Sequence, residues 1–132
     1  MQVNIFAVIA AAMANMVIGY AWYSTALFGQ KWMGALGLNK EVAKAGMGKA
    51  IALGFVTALI TSYVLGVAMI LAGITTAATG ALAGFVIAIG LVVTTMYGAV
   101  IWSGRSQTAF IIEAAYQLVT FAAMASLLAV WG

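Results

Sequence analysis

The residues of this sequence that could do chemistry in an apolar environment lie near its C-terminal end. Glu113 stands in a run of apolar residues, and Tyr116, Gln117 and Thr120 follow it at spacings of three, four and seven residues. Those spacings place the four side chains on one face of a helix. An ionised carboxylate is costly in such surroundings unless it is paired, so Glu113 is a candidate for binding a proton or a small solute.

Other apolar segments carry polar side chains at a depth comparable with that of Glu113. These are Asn15, Thr57, Thr61, Thr95 and Tyr97. We predict that several of them meet in one polar cluster inside the membrane, and the candidate set for this cluster is Asn15, Tyr97, Glu113, Tyr116 and Gln117.

Two interpretations of this polar cluster stay open. In the functional interpretation the cluster binds a proton or a solute. In the structural interpretation, which we favour, Glu113 reaches toward Arg105 and the lipid headgroups, while Asn15 and Gln117 hydrogen-bond neighbouring helices.

The residue types that most catalytic and cofactor sites require are missing. The chain has no histidine, cysteine or aspartate, and its carboxylates are Glu41 and Glu113. Catalytic serine–histidine and cysteine–histidine pairs are excluded, and zinc, iron–sulfur and histidine-ligated haem sites lack their usual ligands. The eight methionines are scattered among leucine and valine, which favours packing over a copper site. We expect no enzyme activity, no metal and no cofactor.

The elements that must position these residues are transmembrane helices. Of the 132 residues, 67% are hydrophobic and 5% are charged, whereas a soluble domain carries about 25% charged residues. Apolar runs of membrane-spanning length predict four spans, and without prolines each should be one continuous helix. We predict an all-α polytopic membrane protein forming one domain over residues 1–132, with spans at about 3–23, 49–72, 79–102 and 108–131 and an interfacial connection at 24–48.

The basic residues all fall on one side of this four-span arrangement. Lys31, Lys40, Lys44 and Lys49 lie in or beside the first connection, and Arg105 lies in the third. Because positively charged loops stay in the cytoplasm, residues 24–48 and 103–107 should be cytoplasmic and both termini outside. The same pattern explains the net charge of +3 without nucleic acid, which we do not expect as a partner.

The first connection should contain a short interfacial helix or turn. Trp32 is placed at headgroup level with Lys31 reaching water, and Asn39 could cap a further turn that has Glu41 near its positive end. Aromatic residues near the predicted interfaces are typical of an aromatic belt. They are Trp22, Tyr23, Trp32, Trp102 and Trp131.

Small residues recur at every fourth position in three spans. Such rows allow close helix packing in lipid, where the hydrophobic effect gives little. Whether the partner is another helix of the chain or a second copy stays open at this point. The rows are Ala50, Gly54, Ala58, Ser62 and Gly66 in the second span, Ala7, Ala11, Asn15 and Gly19 in the first, and Gly80, Gly84 and Ala88 in the third.

The stretch "GYAWYSTALFGQKWMGALGL" resembles the signature of the DUF1761 family of small bacterial membrane proteins. The matching positions are Trp22, Tyr23, Ser24, Leu27, Phe28, Gly29, Trp32, Met33, Leu36 and Gly37, and "AAYQLVTFAAMASLLAVW" is similar to the family's C-terminal segment. The chain departs from the family pattern at Thr25, where a proline often stands, and at Glu113, where a neutral polar residue is usual. The resemblance implies a four-helix protein of the bacterial inner membrane and brings no activity with it. Trp22, Tyr23, Ser24, Phe28 and Trp32 then form an interfacial corner with Gly29 at its bend.

Two functions compete on these grounds. The first is a self-associating structural or accessory membrane subunit, whose partners are membrane lipids, copies of itself or a larger membrane complex. The second is a small oligomeric transporter or channel for protons or a small solute, with Glu113, Gln117, Asn15 and Tyr97 along its pathway.

Overall fold

The computed structural model describes residues 2–24, 26–38, 41 and 46–131. The described residues contain five helices, which we number α1 to α5, and no strand. Four of them are long and apolar enough to cross a membrane, which confirms the predicted fold class. The helices are α1 Ile5–Trp22, α2 Gly29–Leu36, α3 Met47–Ala72, α4 Ala77–Ser103 and α5 Gln107–Trp131.

Local sequence signals explain where these helices begin and end. The Asn4 side chain accepts a hydrogen bond from Phe6 N at 3.0 Å and so caps the start of α1. Gly73 (φ 69°) ends α3 and Gly104 (φ 67°) ends α4 in the left-handed conformation that glycine adopts without strain. The long helices therefore begin and end within two residues of the predicted spans. Asn39, the predicted cap of a further turn, lies outside the described residues.

α5 is the central helix of the bundle. α1, α2, α3 and α4 all pack against it, and the substantial contacts of α4 with other helices are all with α5. α5 accordingly has the largest buried share of the four spans and α4 the smallest. The core where α1, α3 and α5 meet consists mainly of Ala7, Val8, Ala11, Leu65, Met69, Met124, Ala125 and Leu128.

The four spans run alternately up and down. The start of α1 lies beside the end of α5, where Asn4 Nδ2 donates to the Trp131 carbonyl at 3.4 Å. At the opposite end, α1 and α4 finish and α3 and α5 begin. Because Lys31, Lys49 and Arg105 belong to this opposite end, we call it the basic end of the bundle. Lys40 and Lys44 lie outside the described residues.

The small-residue rows are used for contacts inside the chain. In α3, Ser62 Oγ donates to the Val8 carbonyl of α1 at 2.8 Å, and Ala58 and Gly66 are buried beside it. In α4, Gly80 and Gly84 press against the backbone of α5. These small residues therefore contact helices of the same chain, and the rows give no support to binding of a second copy. Gly54 has only the Met16 side chain near it, and Ala50 is exposed.

The third span is one continuous helix, as predicted, but it is not α-helical throughout. α4 changes to a π-helix over Ala88–Val93, although it contains no proline. Thr94 Oγ1 donates to the Gly90 carbonyl at 2.8 Å, and Thr95 Oγ1 donates to the Leu91 carbonyl. Threonine hydroxyls can satisfy carbonyls that an irregular turn leaves weakly bonded in lipid, which explains how this segment is tolerated.

Candidate functional site

The signature residues form a tight corner after α1, at the basic end of the bundle. Leu27 N donates to the Ser24 carbonyl at 3.1 Å and Gly29 N donates to the same carbonyl at 2.9 Å. Phe28 N donates to the Trp22 carbonyl at 3.2 Å. Together these bonds reverse the chain direction and start α2 immediately against the end of α1.

Gly29 occupies a position where no side chain fits. A Cβ atom there would lie far inside van der Waals distance of the Tyr23 carbonyl oxygen and 2.8 Å from the Ser24 carbonyl oxygen. Both of these atoms belong to the backbone, so neither can rotate away. Gly29 is thus required by the close approach of two chain segments, which agrees with its predicted place at the bend.

Aromatic rings from α1, α2 and α5 pack together inside this corner. The ring of Tyr23 lies 4.9 Å from that of Trp32 and 5.4 Å from that of Tyr116, measured between centroids. The ring of Trp22 lies 5.0 Å from that of Phe28. Trp22, Tyr23 and Trp32 were predicted at headgroup level as belt residues, but here they are half-buried in contacts with the protein. Trp102 and Trp131 are exposed.

Glu113 joins three elements at the basic end. Trp32 Nε1 of α2 donates to Glu113 Oε2 at 2.9 Å. Arg105, in the loop before α5, donates through Nε to Oε1 at 3.2 Å and through Nη2 to Oε2. The two residues thus form a bidentate ion pair. The side chain of Glu113 is 16% exposed and that of Arg105 is 36% exposed. The carboxylate is therefore compensated by charge and hydrogen bonds within the chain.

A second polar contact lies one helical turn deeper. Tyr116 donates its hydroxyl to Asn15 Oδ1 at 2.7 Å and approaches the Asn15 carbonyl at 3.0 Å. The same hydroxyl would lie 3.0 Å from a Cβ on Gly19, so this glycine leaves room for the tyrosine. Asn15 Nδ2 in turn points to Met124 Sδ at 3.5 Å. These contacts tie α1 to α5 and use both the oxygen and the nitrogen of the Asn15 side chain.

The predicted polar cluster is only partly brought together. Asn15 and Tyr116 are bonded to each other, and Glu113 is one turn away with its own partners. The ring of Tyr97 packs edge-on against that of Phe110 at 4.9 Å, one turn before Glu113 on α5. Gln117 is half-buried on α5.

Two of the threonines at comparable depth are also outside the cluster. Thr57 bonds the Gly54 carbonyl at 2.9 Å and Thr95 bonds the Leu91 carbonyl, so both hydroxyls serve their own helices. Thr61 is half-buried on α3.

The hydrogen bond between Trp32 and Glu113 was not predicted from the sequence. Trp32 and Glu113 are 81 positions apart, and α2 is separated from α5 by two spans. Trp22 likewise reaches α5 by donating from Nε1 to the Ile112 carbonyl at 3.0 Å. A buried indole N–H group usually has a hydrogen-bond acceptor. That requirement is the only feature of the sequence that indicated partners for these tryptophans on another helix.

The polar groups of this site hold the elements of the chain in place through hydrogen bonds. Glu113 accepts two hydrogen bonds from Arg105 and one from Trp32, and the hydroxyl of Tyr116 is donated to Asn15. Thr120 Oγ1, fully buried one turn beyond Tyr116, has no hydrogen-bond partner among the described residues. It lies close to the phenol of Tyr116 on the same face of α5.

One family of known proteins matches nearly the whole chain. A family model described as "Protein of unknown function (DUF1761)" matches residues 6–129. No curated protein and no solved structure matches the chain. The matched range includes the corner, both polar contacts and all but the first residue of α1 and the last two residues of α5. The chain belongs to the DUF1761 family.

Proposed function

We propose that the protein is a structural or accessory subunit of a bacterial inner membrane that associates with further copies of itself through α4. The observation that carries the proposal is the unequal use of the four spans. α4 packs substantially on α5 alone and has the smallest buried share of the four, whereas α5 is enclosed by its neighbours. The surface of α4 that faces away from α5 is therefore available to a partner within the bilayer.

The internal polar groups support a structural role rather than a pathway. Glu113 is neutralised by Arg105, and Asn15 and Tyr116 satisfy each other. Two open cavities of about 220 and about 340 Å³ are lined by apolar side chains apart from one polar residue each, Thr75 in the smaller and Tyr63 in the larger. Neither cavity reaches the polar contacts at the basic end, so neither leads a solute to them.

The outward face of α4 suits close approach by another helix. Among the described residues, no atom of another helix comes within 4 Å of a Cβ placed on Gly90, and a Cβ on Gly98 would meet the Trp102 ring of α4 at 4.0 Å. Thr94 lies between these glycines and is exposed. Since small residues in lipid favour close backbone packing, this face can seat the same face of a second copy. Large apolar side chains also exposed on α4 include Leu82, Phe85, Val86, Ile89, Leu91 and Ile101.

We further propose that the basic end lies in the cytoplasm and both termini outside. This orientation follows from the positive-inside rule, because Lys31, Lys49 and Arg105 share one end of the described chain. Anionic lipids of the inner leaflet would then meet these cations.

Replacing Gly90 and Gly98 with leucine is expected to dissociate the oligomer without unfolding the bundle. Among the described residues, a side chain at Gly90 would meet no other helix and one at Gly98 would meet the Trp102 ring of α4 itself, so we expect contact with another copy to be blocked. Native mass measurement after extraction in a mild detergent should show a multiple of 13.6 kDa for the wild type and a single chain for the double variant.

Gly48→Leu is the matched control, because a Cβ placed on Gly48 would also meet no atom of the described residues within 4 Å, but Gly48 lies on α3. It should keep the oligomer. A wild-type protein that is a single chain under the same conditions would overturn self-association. A different polypeptide extracted with the chain in fixed proportion would instead identify it as an accessory subunit.

One observation favours the alternative function of a small transporter or channel. The hydroxyl of Thr120 has no partner among the described residues, although it lies on the same helix face as Tyr116 and Met124. A transported ion or solute could use such a group. The polar side chains of one described chain are bonded to each other and line no continuous route across the membrane. A pathway would therefore have to form between the chains of an oligomer.

A further inference from the structure

We propose that residues 26–38, which comprise the turn before α2 and α2 itself, form a strap whose docking on α5 is controlled by the Arg105–Glu113 ion pair. The strap and the loop between α4 and α5 then move as one unit, although two spans separate them in the sequence. This inference does not depend on self-association, because every contact it uses lies within one chain.

The strap has little stability of its own. α2 has eight residues, and its N-terminal cap residue Phe28 makes no side-chain capping hydrogen bond. A helix of that length is not stable in isolation. Its position must therefore come from contacts with the bundle.

The side chains of the strap contact the end of α1 through two ring pairs and α5 through the carboxylate of Glu113. Beyond its backbone bonds at the corner, α2 is held by the Trp32 Nε1 hydrogen bond to Glu113 Oε2 and by the packing of the Trp32 ring on Tyr23. The turn adds the packing of Phe28 on Trp22. Trp32 provides both the ring contact and the hydrogen bond, so its acceptor on α5 is decisive for docking.

Arg105 determines where that acceptor points. Its guanidinium bonds both oxygens of Glu113, and one of these oxygens is the acceptor of Trp32. Without the guanidinium, the half-buried carboxylate is left with a neutral partner only, and it gains free energy by turning toward water. The bond to Trp32 then weakens. The loop residue Arg105 thus acts on α2 through Glu113, which makes Arg105 a positioning residue for the strap.

The test uses the absence of cysteine from the chain, since a single introduced thiol is then the only labelling site. Ala35→Cys places the thiol on the half-buried side of α2, one turn from Trp32. In lipid vesicles, Arg105→Gln should raise the rate of labelling by a water-soluble maleimide on the order of fivefold, the size of effect expected when a partly exposed ion pair is lost. Trp32→Phe should raise it at least as much.

Lys49→Gln is the matched control, because it removes an exposed cation from the same end of the bundle. It should leave the labelling rate unchanged, and Arg105→Lys should give an intermediate rate. The proposal is overturned if Arg105→Gln labels like the wild type while Trp32→Phe labels faster, or if Lys49→Gln raises the rate as much as Arg105→Gln.

A reciprocal measurement decides the matter even if Arg105→Gln fails to fold. Coupling between two sites acts equally in both directions. A spin label at Ser103, beside the loop that carries Arg105, should therefore become more mobile in Trp32→Phe and stay unchanged in Lys49→Gln. Unchanged mobility in Trp32→Phe would show that strap and loop are independent.

Discussion

Gly84→Ala is expected to destabilise the helix bundle by about 3 kcal/mol, the upper part of the usual range for an overpacked contact. The added Cβ would lie well inside van der Waals distance of the Phe121 carbonyl oxygen and 2.8 Å from Ala125 Cβ. One of these neighbours is backbone and the other is a fixed methyl group, so α4 must move away from α5. Because α4 has its substantial contacts with α5 alone, no other helix compensates. Unfolding in detergent, followed by circular dichroism, measures the loss.

Gly90→Ala provides the comparison within the same span. A Cβ at Gly90 meets nothing within 4 Å, and alanine favours helix more than glycine does. This variant should be as stable as the wild type or more so. Equal losses for the two variants would mean that the face of α4 carrying Gly84 does not pack on α5.

Gly29→Ala is expected to open the corner and release α2 from the bundle. Its Cβ would collide with the Tyr23 carbonyl oxygen and lie 2.8 Å from the Ser24 carbonyl oxygen. Relieving these contacts separates the start of α2 from the end of α1 and withdraws Trp32 from Glu113. Labelling of a cysteine at Ala35 should therefore accelerate by about tenfold or more, since overpacking against backbone typically costs at least 1 to 2 kcal/mol.

Gly34→Ala is the control for this substitution in the same short helix. A Cβ placed on Gly34 would meet no atom within 4 Å in the described part of the chain, so alanine there should strengthen α2 slightly and leave the labelling rate low. If Gly34→Ala accelerated labelling as strongly as Gly29→Ala, the cause would be a general sensitivity of α2 and not the close packing of the corner.

Most of the fold could be predicted because lipid imposes few and strict demands. Each span must be long, apolar and hydrogen-bonded within itself, so its ends could be predicted to within two residues. The small-residue rows likewise marked contact faces, since only such residues let backbones approach as closely as Gly84 approaches Phe121. Which helix would fill each row depends on tertiary packing, and the sequence left that open.

The candidate site could be predicted less well. The pairing of Glu113 with Arg105 was one of two open interpretations, and the structure places the two side chains together. Trp32 as a partner of Glu113 was not expected, because interfacial position and a buried indole give the same sequence signal. Tyr97 was selected by its depth in the third span, and depth alone does not show that its ring would pack on Phe110. The π-helix of α4 also rotates the side chains that follow it relative to those that precede it. No proline in the sequence indicated this irregular turn.

Flux through reconstituted vesicles tests most directly the claim that the polar side chains inside this protein serve architecture. Vesicles containing the wild type, Glu113→Gln or no protein would be compared for the movement of protons and small cations. Because Glu113 is held by Arg105 and Trp32 within the chain, we expect both proteins to match the empty vesicles. Proton or cation flux through the wild type that disappears in Glu113→Gln would contradict the account and establish the carboxylate as part of a pathway.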